Sequence, residues 1–458
     1  MHMADMTVKG AALAAAAAGD FSDLPINNPD IECASRERIE AIQLAKLIKQ
    51  VNYIYDRSPF YRERMDEMGV EPGDIKTLED VRKLPFTDKA DFRETFPYGL
   101  FTVPLDEVVE LHASSGTTGQ PIVVGYTQHD MDVWADCIMR LVQMASVVPG
   151  DRAQMAFGYG MFTGGFGLHY GLQRLGCMMI PAGSGNTQRH IKMIRDYGTT
   201  VLIATPSYAL HICEVGEEMG YDWETSTLRV GCFGGEPCPP GLQHEIEERM
   251  HIICTDNYGL TEVMGPGVSG ECLAERRMQH IAEDHFLWEV IDPETGEPVP
   301  EGEVGELVLT PLDKEAIPIL RYRTHDLTSV TTEKCACGRT TARMQKVRSR
   351  SDDMLKIRGT KVFPSAVEDT LSKIEGVTPM YHIIVDDETG LDRMTVEVEL
   401  RPEAFSDSFE EMDRFRRSVE EQLKSVLLVG VKVKLVEPGG LQRTTGKAKH
   451  VDDLRTRK

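Results

Sequence analysis

No apolar run in this sequence reaches the roughly 18–20 residues that a bilayer-crossing helix needs. The alanine-rich stretch 11–18 is short, with Lys9 as its one nearby basic residue, and it lacks the ordered basic, apolar and cleavage segments of an export signal. Positive charge is scarce: 50 Lys and Arg against 73 Asp and Glu leave a formal net charge of −23. A surface of that sign does not displace counterions from a nucleic acid or an anionic membrane, so neither is expected as a partner. No internal repeat at a fixed period is evident, which sets repeat architectures aside. The 10 cysteines, with no export signal, are expected to stay reduced as buried thiols or metal ligands, and the cytoplasm is the expected compartment.

What is present is a chain of 458 residues, 41 % hydrophobic and 27 % charged, the balance of an ordinary folded protein. Single cores stop growing near roughly 250–300 residues, so two domains are expected. Residues 36–94 read as helical with a break at Pro85. Short apolar runs at 108–112, 201–204, 230–233 and 252–255 then alternate with helical patterns at 130–145, 189–196 and 206–218. Strands alternating with helices predict an α/β fold with parallel sheets. After Asp292 the texture turns to Gly- and Pro-punctuated strands, an antiparallel or barrel-like module. Beyond a charged stretch at 350–353 the pattern is α+β again: helix 364–374, strands 381–385 and 394–400, helix 409–427. The expected division is therefore 1–350 and 353–458.

Four blocks carry chemistry. Ser114, Ser115, Gly116, Thr117, Thr118 and Gly119 follow a predicted strand, and their hydroxyls, glycines and main-chain N–H groups suit phosphate oxygens. This is not a Walker loop, because no Lys-Ser/Thr pair follows the last glycine. Tyr258, Gly259, Leu260, Thr261 and Glu262 follow another strand, and Asp326 ends a third; a carboxylate of each type offers a magnesium ligand and a ribose-hydroxyl acceptor. Lys447 stands on a Gly-flanked loop near the C-terminus.

In this order and at these separations the blocks resemble the acyl-adenylate-forming superfamily, and within it the phenylacetate–CoA ligases. Supporting stretches include 157–165, 204–208, 258–267, Glu283-Asp284-His285-Phe286 and 350–359. The resemblance implies an ATP-dependent ligase with a large N-terminal domain and a smaller, mobile C-terminal one. It implies that Ser114 to Gly119 grip ATP phosphates, that Gly235, Glu236 and Pro237 line the adenine, and that Tyr258 stacks near it. Thr261 would contact phosphate and Glu262 hold Mg²⁺; Asp326, with Arg350 nearby, would bind the ribose. Asp352 matches the hinge, Gly359 the wall of the pantetheine tunnel, and Lys447 the lysine that assists adenylation. Also implied are coenzyme A as acceptor, a homodimer and a place in aromatic-acid catabolism. Gly234 and Cys238 depart from the Ala and Trp frequent in such ligases, and Ser349 stands where a Gly is common.

Phe157, Tyr159 and Phe162, interleaved with glycines, are expected to form a flat slot for an aromatic acid such as phenylacetate. Cys335 and Cys337 form a tight pair that cannot alone complete a tetrahedral site; Cys272 and His280, which the resemblance places nearby, would make a Cys₃His zinc site. The His285 motif suggests a role near the acyl or CoA site. The alternatives are an adenylating enzyme for another aromatic acid or a carrier-protein acceptor, and a catalytically silent binding relative.

Overall fold

The computed structural model describes residues 21, 24–114, 121–347, 349–351, 353–358, 360–387, 392–406, 408–443 and 450–455. Its larger, N-terminal part is built on a nine-stranded sheet. Met178–Ile180, Arg152–Met155, Val201–Ala204, Val230–Gly234 and Ile253–Leu260 lie side by side in parallel. Gly265–Cys272, Glu275–Ile281, Arg343–Gln345 and Val330–Thr331 extend it antiparallel. The central strands are unbroken apolar runs because both faces are covered. Helices Gln128–Met144 and Thr163–Leu175 pack Trp134, Ile138 and Leu168 into one core, and helices Pro206–Glu218 and Pro240–Met250 pack Tyr208, Leu242 and Ile246 into another.

Helix Gln128–Met144 begins with a capping box, Thr127 accepting from Asp130 N and Asp130 reaching back to Thr127 N. Asp130 also accepts from Glu315 N at 2.7 Å and Ala316 N at 2.9 Å, so the cap fixes the loop after Lys314. The expected antiparallel module is a four-stranded sheet ordered Phe286–Ile291, Gly305–Pro311, Tyr322–Thr328, Ser349–Arg350. Alternating burial along Tyr322–Thr328 puts Tyr322, Thr324 and Asp326 on the inner face.

The smaller C-terminal part has its own core, including Ile383, Val396 and Leu423. Its sheet runs Lys432–Val436, Arg393–Leu400, Val377–Asp386, Val451–Asp453, covered by helices Pro364–Leu371 and Phe409–Leu427. The strand expected at 381–385 is longer, because it is paired on both sides. Among the described residues no helix is long and apolar enough to cross a membrane.

An ionic knot joins four segments of the N-terminal part. Arg140 donates to Asp284 Oδ1 at 2.5 Å and Oδ2 at 3.0 Å and pairs with Asp136 Oδ2 at 2.5 Å. His285 Nδ1 meets Asp313 Oδ2 at 3.0 Å, and its Nε2 lies 3.3 Å from Asp284 Oδ2. Lys46 pairs with Asp313 and donates to Asp284 O at 2.7 Å. Burial alone would lower the His285 pKa, but Asp284, Asp136 and Asp313 outweigh it and hold it above the ordinary range. His285, expected near the acyl or CoA site, is a member of this buried knot.

Candidate active site

The motif at the end of Ile253–Leu260 requires a very close backbone approach. A Cβ on Gly259 would lie 2.0 Å from Gly265 O, so only glycine allows the chain to double back there. The return places Thr261 Oγ1 3.3 Å from Thr163 Oγ1 and brings Lys89 Nζ to 4.0 Å from Glu262 Oε1. Tyr258, on the same strand, donates its hydroxyl to Asp326 Oδ2 at 2.6 Å. Asp326 is the register partner of Arg350, whose Nη1 donates to Asp326 Oδ1 at 3.2 Å. Burial first, then the Asp326 carboxylate, raises the Tyr258 phenol well above its ordinary value, so it stays a donor. Three predicted residues, Tyr258, Asp326 and Arg350, are therefore one hydrogen-bonded group.

The loop after Val230–Gly234 lies beside it. Gly234 has no room for a side chain, since a Cβ would lie 2.7 Å from the Asn257 amide. Gly235 adopts φ +82° and faces Phe157 and Thr205. Glu236 accepts from Ser207 N at 2.8 Å, which ties this loop, ahead of Pro237, to the start of helix Pro206–Glu218. Ser114 follows strand Glu110–Ala113 and its Oγ accepts from Ile122 N at 3.0 Å. Ser115, Gly116, Thr117, Thr118, Gly119, Asp352, Gly359 and Lys447 lie outside the described residues.

The three rings expected to form a slot have different neighbours. Phe157 is buried against Gly235. Tyr159 packs edge-on against Phe166 with centroids 5.3 Å apart, and its hydroxyl meets His169 Nδ1 at 2.9 Å. Phe162 is 45 % exposed, at the start of helix Thr163–Leu175. Beside them Glu110 accepts from Tyr170 OH at 2.7 Å and meets His112 Nε2 at 2.6 Å. Sequence reasoning missed this polar edge; the signal was His169-Tyr170, about one helical turn after Gly164-Gly165. It also missed Asp256, two residues before Tyr258, whose carboxyl burial raises to about 7.

The four proposed metal donors converge. Their ligand atoms all lie within 4.8 Å of one another: Cys272 Sγ is 3.7 Å from Cys335 Sγ, and Cys337 Sγ is 3.4 Å from His280 Nε2. His280 Nδ1 lies 3.0 Å from Thr341 Oγ1, which leaves Nε2 for the cluster. The knuckle is clasped from outside by Arg339, whose Nε donates to Glu32 Oε2 at 2.6 Å.

The two parts meet through ion pairs. Arg443 donates to Glu214 at 2.9 and 3.1 Å and to Glu399 at 2.8 and 2.9 Å, while Arg401 donates to Glu245 at 2.9 Å. Glu399, 1 % exposed, also accepts from Leu441 N at 3.1 Å.

The family model for AMP-binding enzymes matches residues 36–310, and that for the AMP-binding enzyme C-terminal domain matches 359–455. The phenylacetate–coenzyme A ligase of Thermus thermophilus is 44 % identical over 93 % of this chain and 99 % of its own length. A crystal structure of 2-hydroxyisobutyryl-CoA ligase in the postadenylation state, 28 % identical, superposes with a TM-score of 0.87 over 93 % of this chain and 91 % of that one. The same ligase in its thioesterification state, 29 % identical over 93 % of this chain and 92 % of that one, gives 0.70. With that likeness along nearly its whole length, the chain belongs to the phenylacetate–coenzyme A ligase family of AMP-binding enzymes.

Proposed function

We propose that this chain is an ATP-dependent acid–CoA ligase that activates an aromatic carboxylic acid, phenylacetate foremost, through an enzyme-bound acyl-adenylate. One observation carries the reading: Tyr258, Asp326 and Arg350 form a single hydrogen-bonded group beside Thr261 and Glu262. In this reading Asp326 accepts from ribose hydroxyls, with Tyr258 and Arg350 holding its two oxygens in place. Gly235, Glu236 and Pro237 line the adenine, and Ser114 to Gly119 and Thr261 bind phosphate. The carboxylate oxygen of the acid attacks the α-phosphate and pyrophosphate leaves; the CoA thiol then attacks the acyl carbon and AMP leaves. Glu262 suits magnesium, because Lys89 stands at the 4.0 Å limit of an ion pair and leaves an anionic oxygen for a hard cation. Magnesium, when bound, supplies neutralisation of charge on the departing pyrophosphate. Phe157, Tyr159, Phe162 and Gly234 border the acid, and Gly359 the pantetheine.

The C-terminal domain turns at Asp352 between the half-reactions, with the domains divided as 1–350 and 353–458. The higher TM-score to the postadenylation state supports a docked, adenylation-side arrangement. Homodimerisation, a cytoplasmic location and a place in aromatic-acid catabolism belong to the same proposal on the strength of the family likeness.

The test is pyrophosphate release from ATP and Mg²⁺ with aromatic and aliphatic acids, with and without CoA, the thioester being followed by mass. Sustained turnover is expected with phenylacetate or a near relative. Adenylate without thioester would move the reading to another acceptor, and inactivity with every acid would reject it.

Cys272, His280, Cys335 and Cys337 are further proposed to hold a structural zinc ion. A tetrahedron with Zn–S of about 2.3 Å has S···S edges of about 3.7–3.8 Å, too long for a disulfide and close to the 3.7 Å between Cys272 and Cys335. Protein purified without chelators is expected to carry one zinc per chain by elemental analysis. The double variant Cys335→Ser, Cys337→Ser should lose it and melt earlier; a metal-free wild type would reject the site.

A further inference from the structure

The turn that carries Thr261 and Glu262 is held from behind by three side-chain donors. Lys314 Nζ donates to Val263 O at 2.9 Å, Tyr126 OH to Met264 O at 2.7 Å, and Trp134 Nε1 to Pro266 O at 2.8 Å. Lys314 is the costly member, since a buried ammonium is among the most expensive groups to remove from water. It is 0 % exposed, and its contacts are a carbonyl and an aromatic face: Nζ stands 4.7 Å from the centroid of the Tyr126 ring. The carboxylates of Asp130 and Glu262 act on it through space. Its backbone is equally fixed, with Gln50 donating to Lys314 O at 2.6 Å and Asp130 holding the next two amides. Burial lowers its pKa to about 8, which leaves it charged at neutral pH. A space-filling role would be met by Met or Leu without that cost.

We propose that Lys314 is a positioning residue of the adenylation half-reaction: it pins the Thr261–Glu262 turn through Val263 O and sets a fixed positive charge behind the Glu262 carboxylate, so the turn is preformed for magnesium–ATP. The inference rests on the ligase reading above. A misplaced binding turn costs rate in the step it serves and not in the other.

Lys314→Met keeps the length of the side chain and removes the charge and the donor. It is expected to weaken magnesium–ATP binding, measured by calorimetry, and to cut acid-dependent ATP–pyrophosphate exchange by about 10²-fold. Thioester formation from preformed acyl-adenylate should stay close to wild type. Unchanged magnesium–ATP affinity and exchange overturn the proposal, and so does equal loss in both half-reactions. Should the Met variant not fold, Tyr126→Phe removes a second donor to the same turn and keeps the ring under the ammonium. The same split is then expected at smaller amplitude, and its absence overturns the proposal. A wild-type protein that exchanges no pyrophosphate with any acid would instead reject the ligase reading.

Discussion

Replacing Lys447 with alanine is expected to cut adenylation by about 10²–10³-fold, the usual loss when one preorganised charge aimed at a developing anion is removed. Attack of a carboxylate on the α-phosphate gathers negative charge on the transferring and departing phosphates, and a lysine at that point neutralises charge that the ground state does not yet carry. Displacement of AMP by a thiol has no such build-up at the same place. Thioester formation from chemically prepared acyl-adenylate should therefore survive in Lys447→Ala. The two half-reactions are separable by ATP–pyrophosphate exchange and by mass detection of the thioester. Equal loss in both would remove Lys447 from the role proposed for it.

Arg140→Met is expected to destabilise the N-terminal domain by about 3–5 kcal/mol, because breaking a buried ion cluster leaves carboxylates uncompensated. Asp136, Asp284 and Asp313 face Arg140, Lys46 and His285, and they favour the charged form of His285. The His285 pKa is raised in the fold, so its contribution is complete below its unfolded value of about 6.5 and is lost as pH rises through the folded value. With Arg140 gone, more of the balance falls on His285. Urea unfolding should then show the variant more stable at pH 6 than at pH 8. A variant with wild-type stability at both pH values would mean that the knot contributes nothing.

The strands at Val201–Ala204 and Val230–Gly234 were legible because unbroken β-branched and apolar runs between turn residues have few other readings. The motif blocks were legible because loops at strand ends carry binding residues. The strand Gly265–Cys272 was not, because its sequence reads as a turn. Its glycines are there for the neighbouring helix: a Cβ on Gly265 would lie 2.4 Å from Trp134, and on Gly270 3.0 Å from Leu141. Packing against a partner distant in sequence thus overrode local propensity. The Cys335 and Cys337 pair was visible by spacing, but Cys272 and His280 came only through the family likeness, since a hairpin and a register pairing bring them there. Lys314 and Asp256 gave no signal, because burial is what distinguishes them from surface charges. The aromatic run at Phe157, Tyr159 and Phe162 was visible, but how each ring faces depends on a helix start and on His169.

The bridge formed by Arg443 bears on the cost of a turnover. Its guanidinium is shared between Glu214 of the large domain and Glu399 of its own domain. If the small domain swings at Asp352, Arg443 leaves Glu214 but carries Glu399 with it, so the deeply buried acid keeps its counter-ion throughout. Glu214 is the partner left behind, and it stands with side-chain exposure of 22 % and His211 3.7 Å away. The Arg443 joint therefore releases at the side where water can enter, while Glu245, which would lose Arg401, keeps Arg249 at 2.9 Å. Under that swing the joint would behave as a catch that opens from one jaw.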